Sequence, residues 1–199
     1  MVGAGSIGFD EYISFPLPLL GVCAYGSDIG KTTLLTRLIP ALATRGLRVS
    51  VIKHAHHRFD IDHPGKDSYR LREAGAVQTL IGSRHRWAVM TELARVPEAI
   101  RPETDLAILL ARIEPAYADL VLIEGFKQAP IAKIEVHRPA LGMPLLADHD
   151  PHIIAIAADA AVITDRPVLD LDDPEAVADF VMQWLASQPT ARLPVPISS

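Results

Sequence analysis

The chain has 199 residues, 49% of them hydrophobic, with a formal net charge of −5 and a pI near 5.9. Its length and apolar content predict one globular domain with a sizeable core, and its acidic balance excludes a general attraction to nucleic acid or to an anionic membrane. The single cysteine, Cys23, excludes an intrachain disulfide and suits a buried packing thiol, so a cytoplasmic location is expected.

Residues 1–16 read as a flexible leader with no basic segment of the kind that opens a secretory signal. Within them, Gly3-Ala4-Gly5-Ser6-Ile7-Gly8 matches the dinucleotide fingerprint, but Phe9-Asp10-Glu11-Tyr12 is a poor helix opening and no ribose-binding acid follows a second strand. The domain proper is expected over residues 17–187, with a loose tail over 188–199.

Leu17 to Ala24 predicts a first strand, and Tyr25-Gly26-Ser27-Asp28-Ile29-Gly30-Lys31-Thr32-Thr33 follows it directly. Leu34-Leu35-Thr36-Arg37-Leu38 then opens an amphipathic helix. Strand, loop, Gly-Lys-Thr and helix in this order form a P-loop. Loop amides and the helix N-terminus point at phosphate, the lysine reaches the outer phosphates, and the threonine hydroxyl ligates magnesium. Two positions depart from the usual pattern: Tyr25 stands where the first glycine belongs, and Asp28 brings a carboxylate into the middle of the loop.

The helix extends toward Ala43 with Pro40 marking a kink, and Arg45-Gly46 ends it. Leu47 to His54 predicts the second strand, and the polar loop to Gly65 carries four of the eight histidines. A short helix over Lys66 to Ala74 precedes two short strands, Ala76 to Gly82 and Trp87 to Met90, around a basic turn; Ile100 to Ile113 has helical spacing. The four aliphatics of Asp119-Leu120-Val121-Leu122-Ile123-Glu124-Gly125 predict a strand buried on both faces, whose terminal Glu124 would complete a magnesium shell opposite the P-loop. Ala132 to His137 and His152 to Asp159 read as further strands, and Pro174 to Leu185 as a closing helix. The sum is an α/β fold of P-loop NTPase type, a doubly wound, mostly parallel sheet with helices on both faces.

His54, His56, His57 and His63, with Asp60 and Asp62, have the composition of a transition-metal site but match no specific metal spacing. A polar loop on the ligand side of the sheet is the plainer reading. Lys66, Arg70 and Arg72, then Arg84, His85 and Arg86, form two basic islands that suit either an anionic ligand or solvent.

Four stretches taken together resemble one family. They are Gly30-Lys31-Thr32-Thr33-Leu34-Leu35; Ile52-Lys53-His54-Ala55-His56-His57 with Pro64-Gly65-Lys66-Asp67-Ser68-Tyr69-Arg70; Arg86-Trp87-Ala88-Val89-Met90-Thr91-Glu92; and Leu122-Ile123-Glu124-Gly125-Phe126-Lys127. In this order the chain resembles the molybdopterin-guanine dinucleotide biosynthesis adaptor protein B family over residues 17–185. The resemblance implies a dimeric GTP-binding protein with weak GTPase activity at most. It implies a partner, the nucleotidyltransferase that joins GMP to molybdopterin; the acidic balance leads to the expectation of no nucleic-acid or membrane partner. It places the phosphate cradle at Ser27, Asp28, Ile29, Gly30 and Lys31, with Thr33 beside it, and magnesium at Thr32 and Glu124. Lys31 and Glu124 would carry any hydrolysis, and His54 would neighbour the nucleotide. No Asn-Lys-x-Asp element is present, and Asp159 is the residue whose position suits a guanine reader. Two other classes remain open: a small-molecule kinase using the same loop, with Arg84 to Arg86 as lid, and a non-hydrolysing nucleotide-binding adaptor. The basic islands leave molybdopterin phosphate as a further possible ligand.

Overall fold

Runs of large aliphatic residues form strands that can be buried on both faces, and the central strands here are of that kind. In the computed structural model, which describes residues 15–55, 59–98 and 105–188, β5 (Leu120–Glu124) is buried along its whole length, as is β6 (Lys133–His137). With β1 (Leu19–Cys23), β2 (Val49–Lys53), β7 (Ile153–Ala158) and β8 (Val168–Asp170) they make a six-stranded sheet in the order β2-β5-β1-β6-β7-β8. Every pairing in it is parallel. All six carboxyl ends therefore lie along one edge, where open α/β sheets place their ligands.

One face of the sheet carries Leu20, Val22, Leu120, Leu122, Ile134, Val136, Ala155 and Ala157, packed with Leu34, Leu38 and Leu42 of α1 (Lys31–Thr44) and Val177 and Val181 of α4 (Pro174–Ala186). α4 starts at a proline, and the Asp173 carboxylate ahead of it accepts the Glu175 and Ala176 amides, which satisfies two N–H groups that the helix itself cannot. α1 continues through Pro40, which lies on its exposed side where water can replace the missing N–H. It ends at Arg45 and at Gly46, whose φ is 82°. Arg45 ties the two helices together through Glu175 at 2.6 Å and Asp179 at 2.6 Å.

The opposite face is packed differently. Leu145, Leu146, Ala147 and Val162, from irregular segments rather than a long helix, pack on Cys23, Ile153, Ile156 and Ala158. In addition, β6 turns Lys133, Glu135 and His137 inward on this side. Two of these polar side chains find partners within the protein. Glu135 accepts the amides of Leu146 and Ala147, both at 2.9 Å, and Lys133 reaches the Ala129 carbonyl at 2.6 Å and Asp150 at 2.8 Å. Cys23 is buried opposite Glu135, and burial followed by that carboxylate pushes its pKa up to about 12. The thiol is therefore inert packing.

The described residues divide into two compact units, at His54/Ala55 and at Ile108/Leu109. The first contains the six-stranded sheet. The second contains α2 (Asp67–Glu73) and an antiparallel hairpin of β3 (Gln78–Gly82) and β4 (Trp87–Thr91). Its knot is Arg72, which pairs with Asp60 at 2.6 Å and Glu92 at 3.2 Å and lies 4.9 Å from the Tyr69 ring centre. The helix expected over Ile100 to Ile113 is α3, Leu106–Leu110, among the described residues, while 99–104 fall outside them. The leader residues 1–14 and tail residues 189–199 also lie outside them.

Candidate functional site

The loop after β1 carries two backbone conformations that side chains rarely adopt: φ is 58° at Asp28 and 119° at Gly30. Aspartate tolerates the left-handed region better than most residues, so Asp28 fits the turn, and its side chain is exposed. Ile29 is buried and fastens the loop to the core. Ser27 is exposed, as are Thr32 and Thr33 in the first turn of α1. Gly30 precedes α1 with no side-chain cap, leaving the first helical amides to face the loop. The Lys31 ammonium arches back over the loop to the Gly26 carbonyl at 2.7 Å.

Parallel pairing then sets the chemistry. β5 lies between β1 and β2, with Glu124 in register with Val22 on one side and Lys53 on the other. The Thr32 hydroxyl donates to Glu124 Oε1 at 2.8 Å, so two residues 92 positions apart in the chain meet in front of the loop. A hydroxyl and a carboxylate are hard oxygen donors of the kind that magnesium takes, and here they already converge on a cation. The Lys53 ammonium is 3.0 and 3.2 Å from the two Glu124 oxygens and 3.2 Å from Thr32 Oγ1. Behind Glu124, His54 donates its amide to the Glu124 carbonyl at 2.9 Å, and its ring stacks on Phe126 at 4.5 Å. The other side of the loop is braced by Arg138, which donates to the Ile29 carbonyl at 2.9 Å and pairs with Asp159 at 2.5 Å.

A family profile described as "MobB: Molybdopterin guanine dinucleotide synthesis protein B" matches residues 19–159, a stretch that runs from β1 past β7 and includes all of these residues. The chain belongs to the MobB family. A protein of Escherichia coli (strain K12) named molybdopterin-guanine dinucleotide biosynthesis adapter protein is 48% identical over 173 residues, covering 86% of this chain and 95% of its own length. Its namesake in Haemophilus influenzae is 42% identical over 174 residues, covering 87% and 93%. A crystal structure described as molybdopterin-guanine biosynthesis protein B (mobB) aligns with a TM-score of 0.61 at 29% identity, over 83% of this chain and 99% of that one. The fold is thus the α/β, P-loop NTPase-like fold of MobB proteins.

The geometry places Lys31 and Thr32 at the loop, joins Thr32 to Glu124, and sets His54 against the Glu124 carbonyl and the Phe126 ring. Asp159 also lies at the carboxyl edge, but its carboxylate is engaged by Arg138. Lys53 lies within one of the four family stretches and Arg138 within none, and the sequence assigns neither a role. Their one signal is position, since each directly ends or follows a strand and strand ends line the ligand edge. The acids of the histidine loop serve another purpose. Asp60 pairs with Arg72, and Asp62 accepts from Ser68 at 2.9 Å. The amide of Asp62 and the Arg72 guanidinium hold the Asp60 carboxyl below the usual carboxylate range. No group of three or more metal-ligating side chains occurs among the described residues, and His56 and His57 lie outside them. Arg72 is therefore structural, whereas Arg84 to Arg86 belong to a hairpin turn closed by Ser83, whose hydroxyl accepts the amides of His85 and Arg86. That turn is not a helical lid of the kind a kinase would use.

Proposed function

We propose that this MobB-family chain is a GTP-binding adapter in molybdopterin-guanine dinucleotide biosynthesis, assisting the nucleotidyltransferase that attaches GMP to molybdopterin. The observation that carries the nucleotide part is the meeting of the Thr32 hydroxyl and the Glu124 carboxylate, 2.8 Å apart, at the mouth of the loop. The biosynthetic part rests on relatives bearing that name at 48% and 42% identity. The amides of Ser27, Asp28, Ile29 and Gly30 and the start of α1 would cradle the phosphates, with Thr33 beside them. Lys31 would exchange its bond to Gly26 for the outer phosphate oxygens. Thr32 and Glu124 are the residues that would hold magnesium, which when bound neutralises charge on the transferring phosphate. Any hydrolysis is slow on this reading, because among the described residues no carboxylate or glutamine stands out to position water, and Arg138, beside the loop, is committed to Ile29 and Asp159. His54, stacked on Phe126, forms a wall beside the site.

Guanine selectivity is assigned to Asp159, held at the carboxyl edge by Arg138. Equilibrium binding of GTP and ATP to Asp159→Asn is the check. Loss of the GTP preference supports the assignment, and an unchanged preference would reduce Asp159 to a brace for the loop. We also assign a homodimer, supported by the exposed apolar side chains of Leu80, Trp87 and Val89 on the β3–β4 hairpin.

A further inference from the structure

The position of Lys53 makes a prediction about how metal enters the site. A threonine hydroxyl has one proton and two lone pairs. Thr32 gives its proton to Glu124 Oε1 and accepts from the Lys53 ammonium, which also touches both Glu124 oxygens. Glu124 is 10% exposed at its side chain, whereas Lys53 is 55% exposed. A carboxylate this buried is costly without a partner charge. The lysine, anchored by its backbone beside Glu124 and otherwise in solvent, can swing away at little cost.

We propose that Lys53 is a resident counter-cation at the divalent-metal position. Its ammonium keeps Thr32 and Glu124 converged, and it withdraws from their oxygens when a metal–nucleotide complex binds. The inference rests on the reading of Thr32 and Glu124 as metal ligands. Magnesium binds oxygen at about 2.0–2.1 Å, closer than an ammonium approaches, and a divalent ion on the oxygens that the ammonium now touches would repel it at close range. The Glu124 and Lys53 charges cancel, so a bare divalent ion meets a carboxylate already neutralised at close range. The attraction that draws the metal in must come with the phosphates. Metal and nucleotide therefore bind as a unit, and the freed ammonium is left at the same edge of the sheet, facing added negative charge.

The test is a manganese titration, followed by electron paramagnetic resonance, of the full chain without nucleotide. It compares wild type, Lys53→Met and the double variant Lys53→Met/Glu124→Gln, with Lys53→Gln as a second neutral replacement if the methionine variant melts early. The expected result is manganese binding at least about tenfold tighter in Lys53→Met than in wild type, with the gain abolished by Glu124→Gln. Equal manganese affinity in wild type and the neutral variants would overturn the proposal, as would a gain that survives Glu124→Gln. Magnesium–GTP binding by wild type, measured alongside, separates the two readings. Binding of GTP with no manganese gain sinks the role of Lys53 alone, and a manganese gain without GTP binding sinks the choice of nucleotide alone.

Discussion

At the scale of single residues, the site depends on glycines as much as on charged groups. Gly125 has a φ of 97°, and a Cβ built there would lie 2.8 Å from the Cβ of His54. Only glycine lets β5 turn away immediately after Glu124 while His54 passes behind it. Gly125→Ala should therefore cost about 1–3 kcal/mol of stability, read from urea unfolding, and should disturb the ring stack of His54 on Phe126. A variant as stable as wild type would contradict this account of the turn. Residue-scale chemistry is partly legible in the amino-acid order alone. Lys31 and Thr32 announce themselves because the P-loop is a local motif, and Glu124 because a four-aliphatic run ends in an acid. Lys53 and Arg138 are not legible in this way, because their partners Glu124 and Ile29 are set by sheet order, and no local spacing encodes which strands become neighbours.

At the scale of elements, the same division between local and nonlocal information holds. β1, β5 and β7 can be read from apolar runs alone, and α1 and α4 from helical spacing and their end signals. β8, three residues long, has no periodicity to detect, and pairing with β7 alone makes it a strand. β6 is legible as a strand, but the burial of its polar face is not: that face lies under the segment holding Leu146 and Ala147, whose amides satisfy Glu135. The β3–β4 hairpin shows the converse. Leu80 is paired with Val89, and Trp87 with Gly82, so the three large side chains share a face. They are 72%, 43% and 64% exposed, respectively for Leu80, Val89 and Trp87. A two-stranded hairpin is marginal alone, and an apolar face of this kind suits burial against a second chain. On the proposed homodimer, wild type is expected to have a dimer's mass by light scattering and Leu80→Glu combined with Trp87→Glu a monomer's, with the far-ultraviolet circular dichroism retained. An unchanged mass would place any dimer interface elsewhere.

For the whole molecule, an all-parallel sheet brings the loop after β1, Lys53 at the end of β2 with His54 after it, Glu124 at the end of β5, Arg138 after β6 and Asp159 after β7 to one edge. No helix of the described residues is long and apolar enough to cross a membrane. The same sheet stores pH-dependent stability on its other face. Burial alone would raise the pKa of Asp150, but the Lys133 ammonium and the backbone and ring of His152 outweigh it and hold the carboxyl below its ordinary value. A pKa lowered by folding stabilises the protein above the unfolded value, and that contribution disappears as pH falls through the folded value. The difference in unfolding free energy between wild type and Asp150→Asn should thus stay constant down to about pH 5 and narrow below about pH 4. A difference that is flat or widens in acid would contradict the Lys133–Asp150 pairing. The central claim, that this MobB-family loop is a working guanine-nucleotide site, is tested most directly by equilibrium binding of GTP and ATP, each with magnesium, to wild type and Lys31→Ala. The account predicts tight GTP binding by wild type, much weaker ATP binding, and loss of GTP binding in Lys31→Ala. Equal affinity for the two nucleotides, or GTP binding indifferent to Lys31, would contradict it.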